Sequence, residues 1–263
     1  MKANCTILIW AAATILSSAA PAPVPRTHSH NDYLHARPLL DALDQGFCSV
    51  EADIHLIDGK LLVAHDRATT RPERTLQALY LDPLRERVRK NGGRVYPKGP
   101  EFNLLIDLKT DWTNTYPELR DVLYQYADIL TSYHADVKDA NAVTVIVTGN
   151  RSLQMFDEEA TRYAAYDGQV SDIESVRPAS WIPWISSSWG SSFKWRGTGE
   201  MPAEEKEKLK QLVTRAHRHQ RQVRFWGAPD EPAFWAQMLA QDVDWINTDN
   251  LAGLRKFLEG KAK

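Results

Sequence analysis

Residues Thr27 to Tyr33 read THSHNDY and set His28 and His30 two positions apart, followed directly by Asn31 and Asp32. On an extended chain a spacing of two puts both imidazoles on one side. They can bind a metal, transfer protons or simply close a strand, and the stretch alone leaves those alternatives open. Further along, Glu51 and Asp53 interrupt the apolar run SVEADI, again two apart, and Asp107 interrupts LLIDLK just before Lys109. A carboxylate is costly to bury without a partner. Three of them facing one cavity repel each other unless a divalent cation lies between, and an all-oxygen donor set suits Mg²⁺ or Ca²⁺. The competing expectation is that Asp53 and Asp107 make structural ion pairs with Lys109 or an arginine. His65 closes LLVAHD, with Asp66 beside it to orient the ring or cap a turn. Together these groups suit phosphoryl transfer, with a cation and Lys109 neutralising phosphate charge while histidines move protons.

Such groups need rigid elements that end at a common place. Short apolar runs at 102–110, 142–150, 181–188, 221–229 and 243–249 are β-branched or aromatic and predict buried strands. Residues 48–59 and 60–66 predict two strands joined by a tight Asp58-Gly59 turn. Helical patterns lie between them: around Leu39–Leu43, over 115–130, over 201–220 with acidic residues first and basic residues last, and over 231–242 and 250–260. Strand–helix alternation without repeats or linkers predicts an α/β fold, a single (β/α)8 TIM barrel, with active-site groups at the C-terminal strand ends. A doubly wound sheet is the alternative, weakened because no glycine-rich phosphate loop follows any strand.

The chain has 263 residues and a formal net charge of −2, which gives no reason to expect a nucleic-acid partner. Residues 1–22 show a signal-peptide pattern: Lys2, an apolar stretch from Cys5 to Leu16, then small residues. A mature domain over 23–263 and a secreted or extracytoplasmic location are therefore expected, with an uncleaved anchor as the alternative and 21–26 as an extended leader. Of the two cysteines, Cys5 falls in that segment, and Cys48 is expected to be a buried small hydrophobe.

The ordered set His28, Gly46, Glu51-Ala52-Asp53, Asp58-Gly59, His65-Asp66 and Asp107-Leu108-Lys109 resembles the glycerophosphodiester phosphodiesterase superfamily of phospholipase C-like barrels. The stretches RTLQALYLDPL (74–84) and INTD (246–249) add to that likeness. The HSHNDY opening, with RFWGAP and DWINTDN, is most similar to the subgroup of fungal altered-inheritance-of-mitochondria proteins and their bacterial homologues. The DLKT and WINTD segments also resemble the sphingomyelinase D toxins.

The resemblance implies a metal-dependent phosphodiesterase of the PLC-like TIM-barrel type. Glu51, Asp53 and Asp107 would hold one divalent cation, Mg²⁺ or Ca²⁺. His28 and His65 would be the catalytic pair, with Lys109, His30, Trp226 and Asn247 binding substrate. The usual HRG opening is replaced by HSH, so either His28 or His30 can be the first histidine. The ENT segment of typical glycerophosphodiesterases is absent. The expected partner is a small-molecule or lipid phosphodiester, met by a monomer with at most transient contact with a membrane surface. Hydrolysis and cyclic-phosphate formation both remain open.

Two rival functions use the same residues. A zinc amidohydrolase would bind metal through His28 and His30, with Asp249 on the last strand, but the strands at 142–150 and 181–188 supply no histidine ligand. A catalytically inactive phosphodiester-binding barrel would be marked by a lost ligand or histidine. The tryptophans at 181, 184, 189 and 195 are expected in the core or cavity wall, or as contacts to a choline-like group.

Overall fold

The computed structural model describes residues 21–261, so all but the last two positions of the expected signal segment lie outside the described residues. Eight strands build the barrel: β1 Val24–Ser29, β2 Phe47–Ile57, β3 Phe102–Leu108, β4 Val143–Gly149, β5 Ala165–Gly168, β6 Trp184–Ser188, β7 Gln222–Trp226 and β8 Ile246–Thr248. Hydrogen-bonded neighbours follow chain order from β1 to β7, all parallel, and β8 returns to pair with β1. The ring closes between β7 and β8 through a bridge of Arg224 with Trp245, where the Trp245 amide donates to Val223 at 3.1 Å. This is the (β/α)8 barrel the strand–helix alternation predicts.

Helices α1 Leu40–Asp44, α2 Asp82–Lys90, α3 Trp112–Tyr124, α4 Ala203–Arg218, α5 Pro232–Ala240 and α6 Leu251–Lys261 follow β1, β2, β3, β6, β7 and β8. In α4, Glu204 and Glu205 sit in the first turn and Arg215, His217 and Arg218 in the last, complementing the helix dipole. Its Leu209, Leu212, Val213 and Ala216 recur at helical spacing and are buried against the barrel. After β4 and β5 the described residues form short 3-10 turns, Leu153–Phe156 and Val170–Asp172, in place of an α-helix.

Three features differ from expectation. Strand β1 begins at Val24, inside the stretch expected as a leader, because its backbone pairs with Phe47 on β2. Strand β5 is only four residues, AYDG, and contains no apolar run to announce it. Strands Ser132–His134, Val137–Asp139 and Thr161–Arg162 form a separate antiparallel sheet. The expected hairpin is present: Lys60–Val63 pairs antiparallel with the end of β2, and Asp58 and Gly59 both take positive φ, as a two-residue primed turn requires.

Along β2, Val50, Ala52 and Ile54 are fully buried in the hydrophobic core, while Ser49, Glu51, Asp53 and His55 alternate with them on the other face. The barrel interior is filled from below by Trp184 stacked on Trp245 at 4.8 Å. Trp181, Trp189 and Trp195 are also buried, so these tryptophans are core rather than a cage for a choline-like group. Cys48 is buried as expected, and burial pushes its thiol up to about 12.

Candidate active site

At the C-terminal ends of the strands lies a cavity of about 730 Å³, lined by His30, Glu51, Asp53, His65, Asp107 and Lys109 among others. Two neighbouring strands set the acidic group: Asp53 on β2 pairs in register with Asp107 on β3, and Glu51 stands one pleat deeper. One oxygen from each of Glu51, Asp53 and Asp107 lies within 4.8 Å of the others. Asp107 can lie against β4 because Gly149, with φ +78°, has no side chain; a Cβ there would stand 1.9 Å from Asp107 Oδ1.

Charge balance at these carboxylates is uneven. Arg224 on β7 donates to Glu51 Oε2 at 2.8 Å. Burial works to raise the Glu51 carboxyl, but the Arg224 charge and the rings of His28 and His30 outweigh it and hold it well below the usual range. Asp53 goes the other way: burial and repulsion from Glu51 and Asp107 raise it, only partly offset by Lys109. Asp53 Oδ2 receives Lys109 Nζ at 2.9 Å, the Tyr33 hydroxyl at 2.8 Å and His65 Nδ1 at 3.1 Å. Its Oδ1 is buried without a hydrogen-bond partner among the described residues. Lys109 also reaches Asp107 Oδ2 at 3.0 Å, and despite its burial these two carboxylates keep its ammonium firmly charged.

Both cavity histidines are tethered through Nδ1. His30 Nδ1 lies 2.9 Å from Asp249 Oδ1, beyond the end of β8, and its Nε2 is 3.8 Å from Glu51. Asn31 donates to the same Asp249 oxygen at 3.3 Å. A carboxylate accepts the Nδ1 proton, so the neutral ring presents Nε2 to the cavity. The same reasoning holds for His65, tethered to Asp53 and 58% exposed on its side chain.

His28 occupies a different place. It is fully buried and has no face on the cavity; Nδ1 meets Ser49 Oγ at 2.7 Å, and Nε2 lies 3.5 Å from Glu51 with Trp184 edge-on beneath. Burial, then the Arg224 charge, lowers the ring to about 3 and keeps it neutral. Asn247 is likewise below the cavity, where it accepts a 2.8 Å hydrogen bond from Arg224 Nε. Trp226 stands at the rim, 46% exposed. His55 faces the same side as Glu51 and supports the backbone carbonyl of His65 at 3.2 Å.

A model of the AIM6-like phosphodiesterase domain matches residues 17–167. Altered inheritance of mitochondria protein 6 of Eremothecium gossypii is 32% identical, over 88% of this chain and 69% of that protein. The chain belongs to the AIM6-like phosphodiesterase family. Its namesake in Saccharomyces cerevisiae is also 32% identical, over 94% of this chain and 74% of the yeast protein. Solved structures share the fold at low identity. A glycerophosphodiester phosphodiesterase from Parabacteroides distasonis superposes with a TM-score of 0.54 at 13% identity, covering 92% of this chain and 100% of its own. An Oleispira antarctica phosphodiesterase, solved with its product sn-glycerol-3-phosphate, gives 0.54 at 14%, covering 91% and 97%. Family and fold together support phosphodiesterase-type chemistry in general.

For this family member the acidic group passes a simple test of fit for a divalent cation. Three oxygen donors converge, one carboxylate oxygen is orphaned in a buried position, and burial together with repulsion from the other two carboxylates raises Asp53. The ion-pair alternative is realised as well, since Lys109 bridges Asp53 and Asp107 while Arg224 holds Glu51. Two participants escaped the sequence reading: Arg224 sits in RQVRFWG among other basic residues, and Tyr33 reads as an ordinary aromatic, while Asp249 enters it only as a ligand of the zinc alternative and not as the partner of His30. An arginine two positions before Trp226 on the same strand face was the available signal for Arg224.

Proposed function

We propose that the protein is a divalent-metal-dependent phosphodiesterase acting on a glycerophosphodiester or phospholipid-like diester. The carrying observation is that His30 and His65, each tethered through Nδ1 to a carboxylate, open into one cavity with Glu51, Asp53, Asp107 and Lys109. Glu51, Asp53 and Asp107 would hold the cation, Mg²⁺ or Ca²⁺, which when bound neutralises the carboxylates and polarises a phosphoryl oxygen. Lys109 offers an ammonium to the non-bridging phosphate oxygens. One histidine accepts the proton of the attacking hydroxyl as the new P–O bond forms, and the other donates a proton to the departing oxygen as the old bond breaks. If water attacks, the product is a phosphomonoester; if a substrate hydroxyl attacks, it is a cyclic phosphate.

In this reading the first histidine is His30, because His28 has no face on the cavity. His28 and Asn247 become positioning residues that hold Glu51 and Arg224. The same burial works against a His28/His30 zinc pair. Export and a monomeric state stay part of the proposal; no described helix is long and apolar enough to cross a membrane.

The test is turnover of bis-p-nitrophenyl phosphate and a panel of glycero- and sphingo-phosphodiesters, with and without EDTA, followed by phosphorus NMR of the products. Metal-dependent release that collapses in His65→Ala supports the proposal. Undiminished turnover in that variant or in EDTA overturns it. Diester binding with no turnover of any substrate would favour an inactive binding barrel.

A further inference from the structure

Across the same cavity from His65 lies a buried carboxylate that the proposed chemistry does not use. Asp167 on β5 is fully buried yet lines the cavity, and neither of its oxygens has a hydrogen-bond partner among the described residues. Buried carboxylates are almost never left unpaired, since the desolvation cost is then uncompensated. Burial raises the Asp167 carboxyl, offset in part by Arg151, Arg224 and the neighbouring hydroxyls of Ser186 and Thr148. Yet neither hydroxyl meets hydrogen-bond geometry with it, and Ser186 Oγ is itself unpartnered. Arg151 approaches only to 4.0 Å of Oδ2, with its Nε and Nη1 committed to the backbone carbonyls of Asp167 and Gly149. Ser187, Ser188 and Gln169 continue this wall, so it is rich in hydroxyl and amide groups.

We infer that Asp167, with Ser186, forms a specificity subsite that accepts hydrogen bonds from hydroxyl groups on the substrate's headgroup. The inference rests on the phosphodiesterase reading and names its substrate class: a phosphodiester with a polyol or sugar head. An acceptor with two unpartnered oxygens calls for a ligand with donors, and neighbouring vicinal hydroxyls supply two. A quaternary ammonium head has no donor to give. It would also face Arg151 and Arg224, the two cations whose fields reach Asp167, and Trp226 at the rim is, among the described residues, the one tryptophan lining the cavity, too few to form a cage. A site that leaves a buried polar group unpaired with the wrong ligand discriminates strongly against it.

The experiment pairs a glycerol-bearing diester with its deoxy counterpart carrying a propyl head, comparing kcat/KM for wild type, Asp167→Asn and Ser186→Ala. Wild type should prefer the hydroxylated substrate by at least about tenfold, and Asp167→Asn should shrink that ratio towards one. Separately, saturation-transfer NMR with free glycerol, myo-inositol and methyl glucoside reads the subsite without catalysis. Polyol contact in wild type that is lost in Asp167→Asn supports the subsite even if no diester is turned over, in which case the catalytic reading alone fails. No preference and no polyol contact in wild type, or both retained in the variants, overturns the inference. Should Asp167→Asn fail to fold, Ser186→Ala decides by the same two readouts.

Discussion

Asp249 holds His30 by its Nδ1 at 2.9 Å, although the two residues stand 219 positions apart in the chain. The contact exists because β8 returns to pair with β1, placing Thr248 opposite Ser29 and carrying both residues just past the strand ends. Burial works to raise the Asp249 carboxyl, yet the His30 contact outweighs it and holds the group below its usual range. A carboxylate in this position fixes the tautomer and supports the imidazolium that forms when Nε2 takes a proton. Asp249→Asn keeps the shape but offers an amide, so kcat should fall by about 10²-fold or more while KM changes little, as steady-state kinetics will show.

The placements of His28 and His30 separate their variants. His30→Ala and His65→Ala should each lose about 10²–10⁴-fold in kcat with melting temperatures near wild type. His28→Ala should instead destabilise the fold by about 1–3 kcal/mol, because Ser49 and Glu51 lose a buried partner. Urea unfolding set beside kinetics checks this. Equal stability losses in all three variants would contradict the division of roles.

Glu51, Asp53 and Asp107 were legible because each puts a charge inside an apolar strand, and the pleat tells which of them share a face. Depth along the barrel axis was not legible. His28 and His30 have the same parity, and only the pairing of His28 with Ser49 and Asn247 shows that it lies below the cavity floor. Arg224 was hidden because its partner Glu51 is 173 residues away. Strand β5 was hidden too, since four residues with a buried aspartate carry no periodic signal. Barrel closure, a long-range event, decides all three.

If the three carboxylates take a cation, the folded state should gain stability from it without any substrate. Adding Mg²⁺ or Ca²⁺ to EDTA-treated protein at about 100 times its dissociation constant should raise stability by about 2.7 kcal/mol, seen as an increase in melting temperature. Asp107→Asn should abolish most of that increase. An unchanged melting temperature in wild type at millimolar ion would count against the metal site.

Gly149 is required by its neighbour as well as by its own backbone. With φ at +78° and Asp107 Oδ1 1.9 Å from where a Cβ would stand, alanine strains the backbone and pushes the carboxylate away. Gly149→Ala should cost at least about 1 kcal/mol of stability and weaken the cation-induced melting shift more than Ser187→Ala, which alters the cavity lining at β6. Calorimetry of both variants, with and without ion, tests this.

His28 titrates near 3 in the fold, against about 6.5 in the unfolded chain, so the unfolded state binds its proton first as pH falls. Its contribution is fully present above pH 6.5 and declines at up to about 1.4 kcal/mol per pH unit between 6.5 and 3. Glu51 acts in the same direction lower down: its folded carboxyl is depressed, so its contribution is present above the ordinary glutamate value and is lost as pH drops below it. The raised carboxyl of Asp53 works the other way, so the measurable quantity is a difference. In urea unfolding in EDTA at pH 7, 6, 5 and 4, wild type should lose stability relative to a variant without the His28 ring as pH falls. His28→Gln removes the titrating ring while keeping a hydrogen-bonding side chain, so its profile should be flatter between pH 6.5 and 5. An equally steep profile in that variant would show that His28 is not the group that takes up the proton.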